Sequence, residues 1–581
     1  MIPKFFSAKK NLFPVAAVFI GVMYTWGIAL FDSAEKQFIS RLIVLFIIAA
    51  LSYFGLGNNL FIRRQLIPFM IFGIAAAFFR VAGRTVDTGG EPANSWGVWL
   101  IIPFIALSAV YTLCAVGLGA LIQNNIRFIP ERPVPIFSIK TWVVYFAVIM
   151  VFWLPTILSL GPIILSPDSR YIVRQALGEQ ALTDVHPVVY TLILRAFLKF
   201  GQSAGSIVFG GYLFGFAQSF FLAGVLAYML IWLRRQGCPA IFVWSSLALF
   251  VVTPSFAGLS VTVWKDIPLN ACFLLMIIDI YEISVSNGEW LFRTKNAVKF
   301  ILLCAAVCFL RANGYQLILI CLCLITITLR CHFKRCIALF LPILLVVPII
   351  RGPVYKAIGL SNYGNVELSA VMIQQVAYAV INDAELKENQ AAFLNQIMPV
   401  ETLKETYVYG SVDPVKYHSE FNREFFNDNF GEFIRLWFDL LPDNKDAYLT
   451  AWLRETMGYW NPGFATTTGY YLAEMSEYKG LQTVDTVKMV TGHSLQRILL
   501  QNMNFISLGS LMHLSAFCVA FLFAVKRRRE ILCLTPILVL WAGLMVIAPV
   551  YAEYRYLLVS ALSVPFILFL LFFRENSIKN Q

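Results

Sequence analysis

Long apolar runs broken by short polar stretches dominate this chain from near its first residue to Arg574. A helix needs roughly 20 mostly apolar residues to cross the ~30 Å hydrocarbon layer of a bilayer. Segments approaching that length fall at 12–31, 42–57, 66–82, 97–122, 141–165, 204–233, 238–256, 267–284, 297–312, 314–330, 336–351, 505–525, 530–548 and 555–573. They predict an all-α, polytopic membrane protein of about 14 transmembrane helices. Between residues 352 and 504 the pattern changes to helical periodicity with polar faces, over Ser369–Ile381, Asp383–Ile397 and Ala447–Met457. That stretch predicts a mainly α domain outside the membrane. The expected organisation is therefore accessory helices over 1–140, a transmembrane core over 141–351 with a loop at 166–203, the soluble domain at 352–504, and C-terminal helices over 505–581.

Composition removes the soluble alternatives. The chain is 59% hydrophobic and only 13% charged, with a mean hydropathy of +0.72, far more apolar than a soluble domain. Its net charge of +12 is spread over short loops rather than gathered on one surface, which excludes a nucleic-acid partner. Those loops instead report orientation, since cytoplasmic loops are enriched in Lys and Arg. Lys4, Lys9, Lys10, Arg63, Arg64, Arg127, Arg132, Lys140, Arg234, Arg235, Arg293, Lys295, Lys299, Arg330, Lys334, Arg335, Lys526–Arg529, Arg574 and Lys579 mark one face. Both termini are then cytoplasmic, and 352–504 is external. The alternation holds only if His186–Phe200, which carries Arg195 and Lys199, lies along the outer surface instead of crossing. The first apolar run reads as a start-transfer helix, not a cleaved signal. All 11 cysteines lie in or beside apolar segments, as structural thiols do, and neither disulfides nor a cysteine metal site is expected.

Ionisable residues at a membrane rim usually bind or react, and four sets stand there. The first runs from Pro167, Asp168 and Tyr171 to Asp184, His186 and Pro187. The others are Trp264-Lys265-Asp266, Arg311-Ala312-Asn313-Gly314 and Glu553-Tyr554-Arg555-Tyr556. Asp168 is a candidate general base or, alternatively, a helix N-cap, a role Ser169 would fill equally. Arg555 is either a bidentate phosphate ligand or an arginine snorkelling to the interface. Lys265 and Arg311 are further phosphate candidates, with Asp266 positioned to pair with Lys265. Asp184 is a second carboxylate or a turn residue, and His186 an acceptor contact or a helix-entry residue. Exposed aromatics beside Asn and Asp in 352–504, in phrases such as Asp413-Pro414-Val415-Lys416, Tyr448 to Arg454 and Tyr459-Trp460-Asn461-Pro462, suit sugar rings or simply pack a helical cap.

An Asp after a Pro, then Tyr171, a glycine-containing linker ending in Asp184, and His186-Pro187 opening a surface helix resemble the start of the GT-C membrane glycosyltransferases. That class includes protein mannosyltransferases and lipid A aminoarabinose transferases. With the other three rim sets, residues 141–573 look like a bacterial branch of that fold. Ser169 stands where those families usually carry a second acid. The resemblance implies a GT-C-like core, a polyprenyl-phosphate sugar as donor, and transfer with inversion to a cell-envelope glycan or other external acceptor. It also implies Asp168, Asp184 and His186 in catalysis, and Arg555, Lys265, Asp266, Arg311, Tyr171, Asn313 and Glu553 as substrate contacts. No cofactor and no obligatory metal are expected. The competing readings are a polyprenyl-linked glycan polymerase or ligase and a lipid-linked oligosaccharide flippase. The flippase would carry charges deep in its spans and an internal repeat, whereas here Asp279 and Glu282 sit near an inner helix end and no repeat is evident.

Overall fold

The computed structural model describes residues 63–87, 101–125, 138–184, 186–360, 364–462, 478–481, 483–501 and 507–573. Among these residues the regular elements are all helical, with only isolated bridges between extended segments. Among the described residues, eight helices are long and apolar enough to cross a membrane: Leu66–Gly83, Phe104–Gln123, Ile139–Leu160, Ile207–Arg235, Asp266–Val285, Arg330–Ala357, Arg528–Ile547 and Tyr554–Phe572. The pair Ala240–Val252 and Pro254–Ser260 makes a ninth if counted as one span bent by 59°. Pro254 causes that break: it has no N–H to give and pushes Thr253 into extended backbone. Thr294–Leu310, Gly314–Thr328 and Leu508–Ala524 are shorter apolar helices. The expected spans 12–31 and 42–57 lie outside the described residues.

Ile207–Arg235, Asp266–Val285 and Tyr554–Phe572 form the centre of the bundle. Trp232, Tyr281, Phe566 and Phe569 interlock there, with ring centroids 5.1–5.9 Å apart. Val188–Ser203, the segment expected along the outer surface, is a helix of 16 residues and is not among the candidate spans. Val188, Thr191, Leu194, Leu198 and Gly201 form its buried stripe, while Leu192, Ile193 and Phe200 stay exposed. Gly201 meets Gly210 of the long Ile207–Arg235 helix so closely that a Cβ on either would strike backbone atoms within 2.4–2.6 Å. Any larger residue at that crossing forces the two helices apart.

A second core, separate from the membrane one, gathers residues between Val366 and Tyr448 around Phe426, whose ring lies 4.7 Å from that of Phe433. Ala370–Ile381 and Lys445–Thr456 match the predicted periodic segments closely. The helix expected from Asp383 begins instead at Glu388. Asn382 caps the preceding helix and Asp383 adopts a left-handed φ of 58°, so the chain turns before Lys387 N–H donates to Gln390 Oε1 (3.0 Å) at the start of the next helix. This body docks on the segment preceding the last span. Val412 N–H donates to Pro549 O (3.1 Å), Tyr551 N–H to Gly410 O (2.8 Å) and Gly458 N–H to Tyr551 O (2.7 Å). Gly410 is required there, because its φ is 74° and the Tyr551 ring fills the space a Cβ would occupy.

The direction of the helices puts the chemistry-bearing residues at one end. Ile139–Leu160, Thr294–Leu310 and Arg330–Ala357 end there, whereas Asp266–Val285 and Tyr554–Phe572 begin there. Arg234 and Arg235, Arg293 to Lys299, Arg330 to Arg335 and Lys526 to Arg529 lie at the opposite helix ends.

Candidate functional site

Asp168 stands in the first turn of Pro167–Leu177 without serving as its cap. Ser166 caps the helix, its Oγ accepting from Ser169 N–H (3.3 Å), and Pro167 opens the first turn. The Asp168 carboxylate is left to accept from Arg555 Nη2 at 2.8 Å. Ser169 is fully buried and donates to Val263 O (2.9 Å), so the position next to Asp168 serves packing and cannot hold an acid facing the site. The far end of the same helix is held by Arg195, which donates to Gln175 O (2.8 Å) and Ala176 O (3.0 Å) and so satisfies terminal carbonyls.

Arg555 is the centre of the cluster. Its Nε lies 2.5 Å from Glu553 Oε2, at an angle that makes this a charge contact rather than a hydrogen bond. The guanidinium carbon sits 4.4 Å from the Trp264 ring centre and 5.0 Å from that of Tyr556. Asn270 fixes the backbone beneath, donating to Asp266 O and Arg555 O and accepting from Val559 N–H. Two separate spans are thereby locked in register under the charges.

Around this centre the remaining candidates pair off. Arg311 donates to Asp266 Oδ1 (3.1 Å) and Asn313 Oδ1 (2.8 Å), so Asp266 serves Arg311 and not its neighbour Lys265. The turn holding Arg311 and Asn313 depends on Gly314, where a Cβ would lie 2.3 Å from Val307 O. Asp184 pairs with Arg351 (2.7 Å), and Arg351 Nη1 also donates to Ala312 O (2.7 Å). Arg351 therefore ties the 178–187 loop to the 311–313 turn. The ring of Tyr171 lies 5.4 Å from that of His186. Lys265 Nζ lies 3.4 Å from His186 Nδ1 and, among the described residues, has no carboxylate within ion-pair distance.

The electrostatics follow from this pairing. Burial works against a charge on Asp168, but Arg555 and Lys265 outweigh it and hold the carboxyl well below its ordinary range. Its side chain remains 42% exposed, so it is an ionised carboxylate at the mouth of the cluster. Burial first, then the Lys265 charge, push His186 down to about 3, leaving a neutral ring whose Nδ1 accepts from Lys265. Burial also lowers the pKa of Lys265, against the pull of Asp266 and Asp168. Glu553, almost wholly buried, is pushed up to about 7 by burial despite Arg555.

The structure thus brings Asp168, Tyr171, His186, Lys265, Asp266, Arg311, Asn313, Glu553 and Arg555 to one end of the bundle, with Asp184 joined to it through Arg351. Sequence reasoning missed Arg351 and Asn270. Arg351 sits in a π-helical segment, Ile350–Val354, at the end of a span, and its position there was the one available signal. Asn270 is buried one turn inside Asp266–Val285, and a polar residue in an apolar run was its only trace. Among the described residues no group of three His, Cys, Asp or Glu side chains is arranged to hold a metal ion. The profile of a family of unknown function (DUF6020) matches residues 167–581, a stretch that contains every residue of the cluster. No curated protein and no solved structure matches the chain.

Proposed function

The chain belongs to the DUF6020 family, and we propose that it is an integral membrane glycosyltransferase. In this reading it moves a sugar from a polyprenyl phosphate to a hydroxyl of a cell-envelope glycan or other external acceptor, with inversion. The observation that carries the reading is the Lys265 ammonium. Arg555, Arg311 and Arg351 are paired with carboxylates, whereas Lys265, among the described residues, has none within ion-pair distance and lies against the neutral His186 ring. A cation drawn out of water without a carboxylate in direct contact is costly. Lys265 is thus the cation left open to a ligand, and the donor's phosphodiester fits it.

The chemistry asked of the residues is modest. The acceptor oxygen attacks the anomeric carbon opposite the phosphate, the C1–O bond breaks, and its electron pair leaves on the phosphate. Lys265 neutralises that growing charge, and the His186 Nε2–H is the neighbouring donor. Asp168, kept ionised by Arg555, orients the acceptor hydroxyl and stabilises positive charge developing at C1. The prenyl tail lies along the exposed apolar side of Arg330–Ala357, where Leu341, Leu345 and Ile349 lead up to Arg351.

The finer architecture belongs to the same reading: about fourteen spans around a GT-C-like core, cytoplasmic termini, and residues 352–504 external. The test is reconstitution in liposomes with a labelled polyprenyl-phosphate monosaccharide and envelope glycan from a deletion strain. Labelled glycan with release of polyprenyl phosphate is the expected result. No release from any such donor would sink the reading, and transfer only from a preassembled oligosaccharide would turn it into a polymerase or ligase.

A further inference from the structure

Asp413, on the extramembrane body, lies near enough to Asp168 for the two carboxylates to repel. The segment 410–412 pairs with 549–551 through Val412 N–H to Pro549 O and Tyr551 N–H to Gly410 O, with a bridge between Ser411 and Val550. Glu553 and Arg555 follow within a few residues of that seam. Asp413 opens the short helix Asp413–Lys416, and its Oδ1 is held 2.8 Å from Lys416 Nζ. Lys416 is itself buried, with Glu367 Oε2 at 2.8 Å as its other partner. Asp413 is thus fixed through one oxygen while its side chain stays 41% exposed. Four residues earlier, in the turn between Val408 and Ser411, Tyr409 lies 5.6 Å from the Arg454 guanidinium and is 53% exposed.

We propose that Asp413 is the acceptor-side carboxylate of the site. It takes the proton of the attacking hydroxyl, and the acceptor is a saccharide seated between Asp413 and the Tyr409 ring. The proposal rests on the glycosyltransferase reading. The aromatic face suits the C–H side of a sugar ring, and the carboxylate suits its hydroxyls. As the acceptor O–C1 bond forms, the hydroxyl proton passes to Asp413. The electron pair of the broken C1–O bond departs on the phosphate beside Lys265.

The charges facing Asp413 divide its work from that of Asp168. Burial raises its pKa, Lys416 on its own turn opposes, and Glu367 and Asp168 add to the rise. Glu455, at the end of Lys445–Thr456 beneath Val412, is the fourth group near it and is held well above its ordinary pKa by burial. Asp168 is pinned by Arg555 in its ionised form and makes a weak base, whereas Asp413 holds a proton more readily. A base nearer the working pH gains more from the transfer. Activity then falls as pH drops and Asp413 becomes protonated.

The experiment is the pH profile of transfer, with the reconstituted full chain, a labelled polyprenyl-phosphate monosaccharide and glycan from the deletion strain. Asp413→Asn should lower turnover about 10²-fold or more and abolish the acid limb, leaving the donor concentration dependence unchanged. Asp413→Glu should recover part of the rate. Glu367→Gln removes Lys416's other partner at a similar structural cost, yet should keep turnover and move the acid limb to lower pH. Wild-type turnover and an intact acid limb in Asp413→Asn would overturn the role of Asp413 alone. Where Asp413→Asn misfolds, read as lost donor binding, an acid limb unmoved in Glu367→Gln would overturn it equally. Absence of transfer by the wild type would overturn the glycosyltransferase reading, and this inference with it.

Discussion

Arg555 donates to Asp168 across 387 residues of chain, at 2.8 Å, and joins the first turn of Pro167–Leu177 to the start of the last span. The same guanidinium rests against Glu553 and the Trp264 ring. Asp168 is therefore ionised because of a residue that no local pattern connects to it.

Removing Arg555 exposes the cost of that arrangement. Glu553 is 1% exposed and would lose its counter-charge, so Arg555→Ala should lower stability by about 3–5 kcal/mol, the range for breaking a buried pair. Adding Glu553→Gln should recover most of the loss. Thermal unfolding in detergent measures both. Equal unfolding temperatures for wild type and Arg555→Ala would show that the pair contributes nothing to folding.

Lys265 should behave in the opposite way. With no carboxylate to leave behind, Lys265→Met should leave the ligand-free protein as stable as wild type or more so, while the donor concentration needed for half-maximal transfer rises at least tenfold. Unfolding temperature and transfer rate against polyprenyl-phosphate sugar concentration are the two measurements. A destabilised Lys265→Met with normal donor use would make this lysine a structural cation.

Arg351 and Asp184 should act as one unit. Arg351→Gln frees the loop carrying His186 and the turn carrying Arg311, so transfer should fall about tenfold, and Asp184→Asn should fall similarly. The double variant should be little worse than either, with a coupling of about 0.5–3 kcal/mol as expected for residues in contact. Additive losses in the cycle would separate them.

Glu553 gives stability a pH dependence. Its carboxyl is pushed up to about 7 by burial, above its ordinary value of 4.5, so the folded protein holds a proton that the unfolded chain releases between those values. Stability is then greatest below the ordinary value and declines as pH rises towards 7. Glu553→Gln should flatten that slope in unfolding temperature measured from pH 4 to 8. An unchanged slope would place the titration elsewhere.

The sequence by itself determined the class of molecule. Apolar runs of membrane-spanning length leave the backbone no stable choice but helices, and the periodic stretch near Ala370–Ile381 folds the same way outside them. It also showed which ionisable residues stand at helix ends, because a charge interrupting an apolar run is visible without any partner. It did not show that Asp266 pairs with Arg311 instead of its neighbour Lys265, nor that Ser166 and not Asp168 caps its helix. Arg351 stayed hidden for the same reason, and so did the pairing of residues 410–412 with 549–551. Pairing depends on distances between side chains far apart in the chain, and packing sets those distances. Only the tertiary structure could decide which cation keeps a carboxylate and which has none within ion-pair distance.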